Sequence, residues 1–218
     1  MSQAGEAGGG GNGGGFADPA GTWNQRFAAD GYLFGTEPNA WLREHAAHWQ
    51  AGQRVLCVAD GEGRNSVWLA QRGVQVDAFD IAAVGVAKAR QWADAQGVTV
   101  NFQIADCDRF AWPEAHYDGV AAIFVQFADP ALRERLFAHL QRGLKPGGTL
   151  LLQGYTPKQL EYGTGGPPLV SHLYTPDMLR EAFAAMRIDE LREYEADLAE
   201  GSAHNGRSAL IGLVATRR

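Results

Sequence analysis

Val55-Leu56-Cys57-Val58-Ala59-Asp60-Gly61-Glu62-Gly63-Arg64-Asn65 decides how the rest of the chain is read. Four consecutive apolar residues, two of them β-branched, suit a parallel strand buried on both faces. The run breaks at Asp60-Gly61-Glu62-Gly63, a glycine turn, and Ser66-Val67-Trp68-Leu69-Ala70 then reads as a short helix ending near Gly73. Strand, glycine turn and helix form the opening unit of a doubly wound sheet. In such a turn the backbone approaches a ligand closely, and the helix N-terminus offers unpaired N–H groups.

The alternation continues outward. Val74–Phe79 is a second strand, Val84–Gln96 a helix stopped by Gly97, Val98–Ile104 a third strand and Asp118–Val125 a fourth. Asp129-Pro130 begins a helix, with an N-cap followed by proline, and Leu132, Leu136, Phe137 and Leu140 share one face up to Gly143. Pro146-Gly147-Gly148 introduces a fifth strand over Thr149–Gln153. Residues 155–174 read as a long irregular loop, a length that compact domains use mainly for function. Thr175-Pro176 caps a further helix, and strand-like runs at Ile188–Glu195 and Ser208–Ala215, joined by a polar loop, close the chain as a hairpin. The expected fold class is α/β, a Rossmann-like doubly wound sheet, mostly parallel with an antiparallel last strand.

Upstream, residues 22–50 read as a helical, aromatic segment, with Pro38 in the first turn of a helix that carries Trp41, Leu42, His45 and Trp49. This is a candidate lid on a single domain spanning 22–218. Eight of the first fifteen residues are glycine, so residues 1–21 are expected to be a flexible tail rather than a targeting peptide. No stretch approaches the ~20 apolar residues of a membrane span, and a soluble, cytoplasmic protein is expected. With 19 basic and 25 acidic residues the net charge is −6. No basic patch is visible, which disfavours nucleic acid as a partner. Cys57 and Cys107 have no metal-ligand spacing, so they are expected as free thiols, and no metal is expected.

Asp80 lies twenty residues after Asp60, at the end of the second strand. A carboxylate there can accept hydrogen bonds from ribose hydroxyls. The glycine pattern departs from that of a dinucleotide site, because Ser66 replaces the third glycine. Asp60 and Glu62 would also repel a pyrophosphate. A cofactor whose near end is cationic, with an amine and a sulfonium, suits them better, and Asp106 beyond the third strand can accept from an adenine amino group. S-adenosylmethionine fits this pattern and NAD fits poorly.

The segments Val58-Ala59-Asp60-Gly61-Glu62-Gly63-Arg64-Asn65, Phe79-Asp80-Ile81 and Leu144-Lys145-Pro146-Gly147-Gly148 resemble the successive motifs of class I S-adenosylmethionine-dependent methyltransferases. Gly-Glu-Gly-Arg-Asn, with Trp23-Asn24-Gln25-Arg26 and Gly35-Thr36-Glu37-Pro38-Asn39, is similar to the tellurite-resistance and thiopurine methyltransferase branch. The resemblance implies a seven-stranded sheet with the last strand antiparallel. It also implies that Asp60, Gly61 and Gly63 line the methionine end, Asp80 the ribose and Asp106 the adenine. Glu62, Arg64, Asn65, Ile81, Cys107 and Gln126 complete the candidate cofactor contacts. Where relatives often place a serine after the second acidic motif, this chain has Ile81-Ala82-Ala83, so a helix cap is expected to be missing.

Ligands of such sheets bind at the carboxyl ends of the parallel strands. The candidate acceptor contacts there are Trp23, Arg26, Tyr155, His172 and His204, the two histidines being expected in loops. Methyl transfer is mainly positioning and desolvation, so no catalytic residue is obligatory. A thiolate, selenide or tellurium oxyanion needs no general base. An oxygen or nitrogen nucleophile would look to His204 or Tyr155. The expected function is methylation of a small molecule, by a monomer or homodimer. The alternatives are a non-catalytic S-adenosylmethionine-binding regulator and a methyltransferase of a macromolecule. Against the second, Phe124-Val125-Gln126-Phe127 stands where base-amino methyltransferases resemble one another in carrying Asn-Pro-Pro-aromatic.

Overall fold

The computed structural model describes residues 18–201 and 203–218. Of the glycine-rich segment expected over 1–21, residues 1–17 lie outside the described residues. The elements run α1 (Pro19–Phe27), α2 (Ala40–His45), β1 (Arg54–Val58), α3 (Arg64–Gln71), β2 (Gln75–Asp80), α4 (Ala83–Ala95), β3 (Asn101–Ile104) and β4 (Tyr117–Ile123). They continue α5 (Pro130–Gly143), β5 (Leu144–Tyr155), α6 (Gln159–Tyr162), α7 (Pro176–Ala182), β6 (Met186–Glu200) and β7 (His204–Arg217).

The seven strands form one sheet in the order β3-β2-β1-β4-β5-β7-β6. β1 to β5 pair in parallel, and β7 is antiparallel to both β5 and β6. The fold expected from the sequence is therefore the one observed. The strand order reverses between β1 and β4, which places a crevice at their carboxyl ends. Alternate strand residues feed two cores. Leu56, Val120 and Leu152 pack with Leu136, Phe137 and Leu140 of α5, while Val55, Cys57 and Leu151 pack with Trp41 and Leu42 of α2 and with Val67 and Leu69 of α3.

Several boundaries differ from the sequence reading. The segment from 28 to 39 is not helical, and Pro38 precedes the N-cap Asn39, whose side chain accepts from the Leu42 N–H. The polar loop expected between the last two strands is instead strand: β6 and β7 pair from Met186–Arg217 to Glu200–His204, so that only three residues separate them. The polar residues of 196–207 hid a continuing alternation, because β6 is the edge strand and one of its faces is wet. The irregular stretch from 155 to 174 contains α6 and a single 3-10 turn at Val170–His172.

The side-chain cap expected to be missing from α4 is absent, and the structure supplies a substitute. The N-cap Ala82 makes no side-chain bond. Asp80 Oδ1 instead accepts from the Ala82 N–H at 2.8 Å, and Asn24 Oδ1 of α1 accepts from the Val84 N–H at 2.9 Å. Two of the orphan donors of the first turn are thus satisfied from outside the helix.

Leu56 is fully buried in a central strand. Leu56→Ala is expected to lower unfolding free energy by about 2–5 kcal/mol, measured by urea denaturation, with the crevice at the far end of the strand left intact.

Candidate functional site

The site begins where β1 ends. Gly61 and Gly63 have φ values of +60° and +89°, and Gly63 caps α3 in the left-handed region. A β-carbon on Gly63 would sit 2.8 Å from that of Ala89, so the turn requires glycine both for its conformation and for helix packing. Asp80 fixes the turn from β2, its Oδ2 accepting from the Gly61 N–H at 2.9 Å. Each Asp80 oxygen uses one acceptor site on backbone, which leaves lone pairs for a diol. Burial raises its pKa, against these backbone bonds.

Asp60 is the site's most unusual group. Its Oδ2 accepts a short hydrogen bond from the Ser66 hydroxyl, while its Oδ1 is buried without a partner. Burial, with the neighbouring Asp80 charge adding to it, pushes Asp60 up to about 7 against the stabilising Ser66 hydroxyl and Arg64. Ser66, which breaks the dinucleotide glycine pattern, therefore serves as donor to the carboxylate. Ala59 and Phe124, at the exits of β1 and β4, have φ of +50° and +55°. Such conformations cost about 1–3 kcal/mol each and persist at functional sites.

These residues open on a cavity of about 440 Å³. Of the candidate residues, Asp60, Gly61, Arg64, Asn65, Asp80, Ile81, Asp106, Cys107, Trp23 and His204 line it. Asp106 Oδ1 accepts from the N–H groups of Asp108 and Arg109, which holds its turn beside the cavity. Burial pushes the Cys107 thiol up to about 12, helped by Asp106 and Asp108, so it is a neutral wall residue and not a nucleophile. The sequence reading missed much of the lining: Phe27, Phe34 and Leu132, with Asp129 at the acidic side. A cluster of aromatic residues before the first strand was the available signal, but without the α1 geometry it does not say which ring turns inward.

Six candidates lie outside the lining. Glu62 turns away from the cavity, accepting from Lys88 Nζ at 2.9 Å and the Leu33 N–H at 2.7 Å. Lys88 also donates to the carbonyls of Ala29 and Gly31, so Glu62 and Lys88 clasp the segment between α1 and α2. Gly63 faces Ala89 of α4. Arg26 lies over the Trp23 ring at 4.4 Å. Gln126 donates to the carbonyls of Tyr155 and His172 and accepts from the Tyr155 N–H, locking the segment after β5. Tyr155 backs the cavity wall, its ring stacked on Phe124 at 4.7 Å. His172 is buried rather than looped into solvent, its Nδ1 at 2.9 Å from the Gln126 carbonyl. His204 also leaves its expected loop, becoming the first residue of β7.

A buried polar network closes the top. Arg64 pairs with Glu200 at 2.8 Å and donates to the Phe34 carbonyl. Asn39 Nδ2 donates to Gln153 and to Glu200, and the Asn39 N–H donates to Asn65. Burial would raise Glu200, but His204 and Arg64 beside it and the Ala40 N–H hold it down at about 2. Next to Glu200, Gly201 has φ +69°, and a β-carbon there would stand 2.2 Å from the Leu33 carbonyl oxygen. The hairpin tip therefore seats directly on the backbone of the 28–39 segment. Gly201→Ala is expected to cost roughly 1–3 kcal/mol and to speed amide exchange at Leu33 and Phe34. Unchanged exchange there would show that the tip does not hold the segment.

Residues 55–148 match the family model described as a methyltransferase domain. The chain is 34% identical over 110 residues to a demethylmenaquinone methyltransferase of Thermus thermophilus, covering 50% of each protein. It is 35% identical over 107 residues to a tRNA 5-carboxymethoxyuridine methyltransferase of Escherichia coli, covering 47% of this chain and 40% of that one. The chain thus spans half or less of the length of these curated relatives. Among solved structures, TehB from Haemophilus influenzae superposes with a TM-score of 0.68 at 16% identity, over 83% of this chain and 62% of that one. A protein described under conversion of a disulfide bond into a thioacetal group during echinomycin biosynthesis superposes at 0.71 with 20% identity, over 91% and 92%. The fold expected from the motifs is the one found, and the central segment is similar to methyltransferase domains.

Proposed function

We propose that the protein is an S-adenosylmethionine-dependent methyltransferase of a small, neutral acceptor, a thiol being the representative soft nucleophile. The observation that carries the cofactor half is the buried, unpartnered Oδ1 of Asp60 beside the Asp80 carboxylate. An unpaired buried acceptor is costly and calls for a donor, and an aminoacyl ammonium supplies a charged one. Asp60 with the Gly61 turn would hold the amino-acid end, Asp80 the ribose hydroxyls, and Asp106 and Ile81 the adenine side. When bound, the cofactor supplies a methyl group activated by a sulfonium. The surrounding residues position it and exclude water.

The charge of the cavity narrows the acceptor. Asp60, Asp80, Asp106, Asp108 and Asp129 line it, and Arg64, the one cation among its lining residues, is already matched by Glu200. Pyrophosphates are repelled, which disfavours NAD. Anionic acceptors such as selenite or tellurite meet the same field, so within the tellurite-resistance and thiopurine branch a neutral, apolar thiol is the better substrate. The aromatic lining and the net charge of −6 favour a small molecule over RNA. The 22–50 segment, clasped by Glu62–Lys88, would serve as the lid. Among the described residues no helix is long and apolar enough to cross a membrane, and no cluster of ligands could hold a metal ion.

Calorimetric titration tests the cofactor half. S-adenosylmethionine and S-adenosylhomocysteine are expected to bind and NADH is not; the reverse result sinks the proposal. Asp80→Ala is expected to weaken binding by roughly 1.5–3 kcal/mol without unfolding the protein.

Acidity provides a further check. If the cofactor's ammonium binds the ionised form of Asp60, whose free pKa lies at about 7, affinity must fall as that carboxylate is protonated. Between about pH 8 and about pH 6 the affinity is expected to drop by about tenfold, with proton release on binding near neutrality. A flat profile, or an Asp60→Asn variant that keeps the pH dependence, would remove Asp60 from the ammonium site.

A further inference from the structure

His204 is an imidazole that the rest of the fold leaves unused. It lies at the start of β7, is 9% exposed, and lines the cavity among aromatic rings. Phe124 meets it edge-on at 4.4 Å, Phe34 lies at 4.6 Å, and Tyr155 at 5.8 Å. Its Nδ1 is buried without a hydrogen bond, with Glu200 Oε2 at 3.9 Å. That places Nδ1 against the protein and leaves Nε2 as the nitrogen for a ligand. Three aromatic rings surround it in a wall that an apolar side chain could fill without burying a polar group.

We propose that His204 is the general base of the transfer, that Glu200 positions and supports it, and that the acceptor is a flat, apolar molecule presenting a protonated nucleophile to Nε2. This rests on the methyltransferase reading above. As the acceptor atom's lone pair forms a bond to the methyl carbon, His204 Nε2 accepts the proton from that atom. The electron pair of the broken carbon–sulfur bond remains on sulfur, which becomes a neutral thioether. The positive charge of the sulfonium thus ends on imidazolium, 3.9 Å from a carboxylate, and leaves as a proton to solvent. An acceptor that arrives already anionic has no use for this group.

The charges around the ring agree with a base that is neutral before reaction. Burial lowers the His204 pKa from its usual value, Glu200 on β6 opposes this, and Arg64 on α3 and Arg26 on α1 push the same way as burial. Tyr155 on β5 faces the ring edge with a phenol held protonated, its pKa raised by burial. Glu200 is ionised, and its charge is shared with Arg64 at 2.8 Å. A base ionising below neutrality with a carboxylate at its back is suited to take a proton only as the new bond forms.

The test compares two aromatic thiols in the full-length protein, after calorimetry has established cofactor binding. Pentafluorothiophenol is a thiolate throughout the neutral range, whereas phenylmethanethiol is a protonated thiol there. His204→Gln is expected to lower kcat/KM for phenylmethanethiol by about 100–1,000-fold, and to lower it far less for the ionised acceptor. Equal losses for both would make His204 a packing residue and overturn the base assignment. So would absence of transfer to either thiol by a protein that binds the cofactor. Failure to bind the cofactor at all would instead strike the function proposed above, and is read separately. A second measurement needs no turnover: the His204 ring resonances, assigned by difference from His204→Gln, are titrated in the free protein. They are expected to titrate below the usual histidine range and to move lower still in Glu200→Gln, taking the acid limb of the pH–rate profile with them. A midpoint unmoved by Glu200→Gln removes the positioning role from Glu200.

Discussion

The ion pair between Arg64 and Glu200 holds together pieces of chain that lie far apart in sequence. Arg64 begins α3, just after the glycine turn, and Glu200 ends β6, so the pair fastens the first half of the sheet to the last hairpin. Asn39 enters the same knot from the N-terminal side and Gln153 from β5. Two nearly buried charges gain little net stability from each other, because their desolvation cost offsets most of their attraction. Removing one partner is another matter, since it strands the other without solvent and costs about 3–5 kcal/mol. The pair therefore acts chiefly as a specification: only one seating of the hairpin tip and of the 28–39 segment satisfies all of its donors and acceptors. The cavity wall made of Phe34 and His204 exists because that seating is fixed.

Below this knot the electrostatics run the other way. Asp60 is held at about 7, while an unfolded aspartate ionises near 3.8. A carboxylate with a raised folded-state pKa stabilises the fold at low pH and loses that contribution as pH rises through the folded value. The free protein is thus least comfortable in the range where the site would be used. A bound cation reverses the sign, because it favours the ionised form. Strain of this kind, together with the left-handed Ala59 and Phe124, is concentrated at the exits of β1 and β4 and absorbed by the apolar layers on either side of the sheet.

The sheet and the cofactor half were legible because their signals are local. An apolar run, a glycine turn and an acid at the end of the next strand each lie within a few residues, and their spacing is set by strand and helix geometry. Glu62 was misread because a carboxylate in a glycine turn looks the same in sequence whether it faces the cavity or Lys88. The direction depends on the α4 surface, twenty-six residues away. Phe27, Phe34 and Phe124 were missed as lining for a related reason: an aromatic residue reads as core unless tertiary structure shows which face of it is left bare. The strands around the hairpin tip were hidden by polarity, since an edge strand with one wet face has a weak apolar signature. Ser66 was seen only as a departure from a glycine pattern, and the bond it donates to Asp60 needed coordinates.

The division of labour along the chain follows from the topology. β1 to β3 with their turns bring the acidic groups for a cationic cofactor, and all of them come from one contiguous stretch, the part that matches the methyltransferase domain. The aromatic wall and His204 come instead from α1, the 28–39 segment, β4 and the β6–β7 tip, most of which lie outside that match. Inserting an antiparallel β7 between β5 and β6 is what carries the hairpin tip to the same edge of the sheet as the carboxyl ends of the parallel strands. A base placed there can change with the acceptor while the cofactor turn stays fixed, because the two halves share a cavity and are joined at its rim by the Arg64–Glu200 knot and the Glu62–Lys88 clasp. On the function proposed above, specificity for the acceptor belongs to the residues whose sequence signals are weakest, and the shape of the cavity, not the glycine turn, would determine what is methylated.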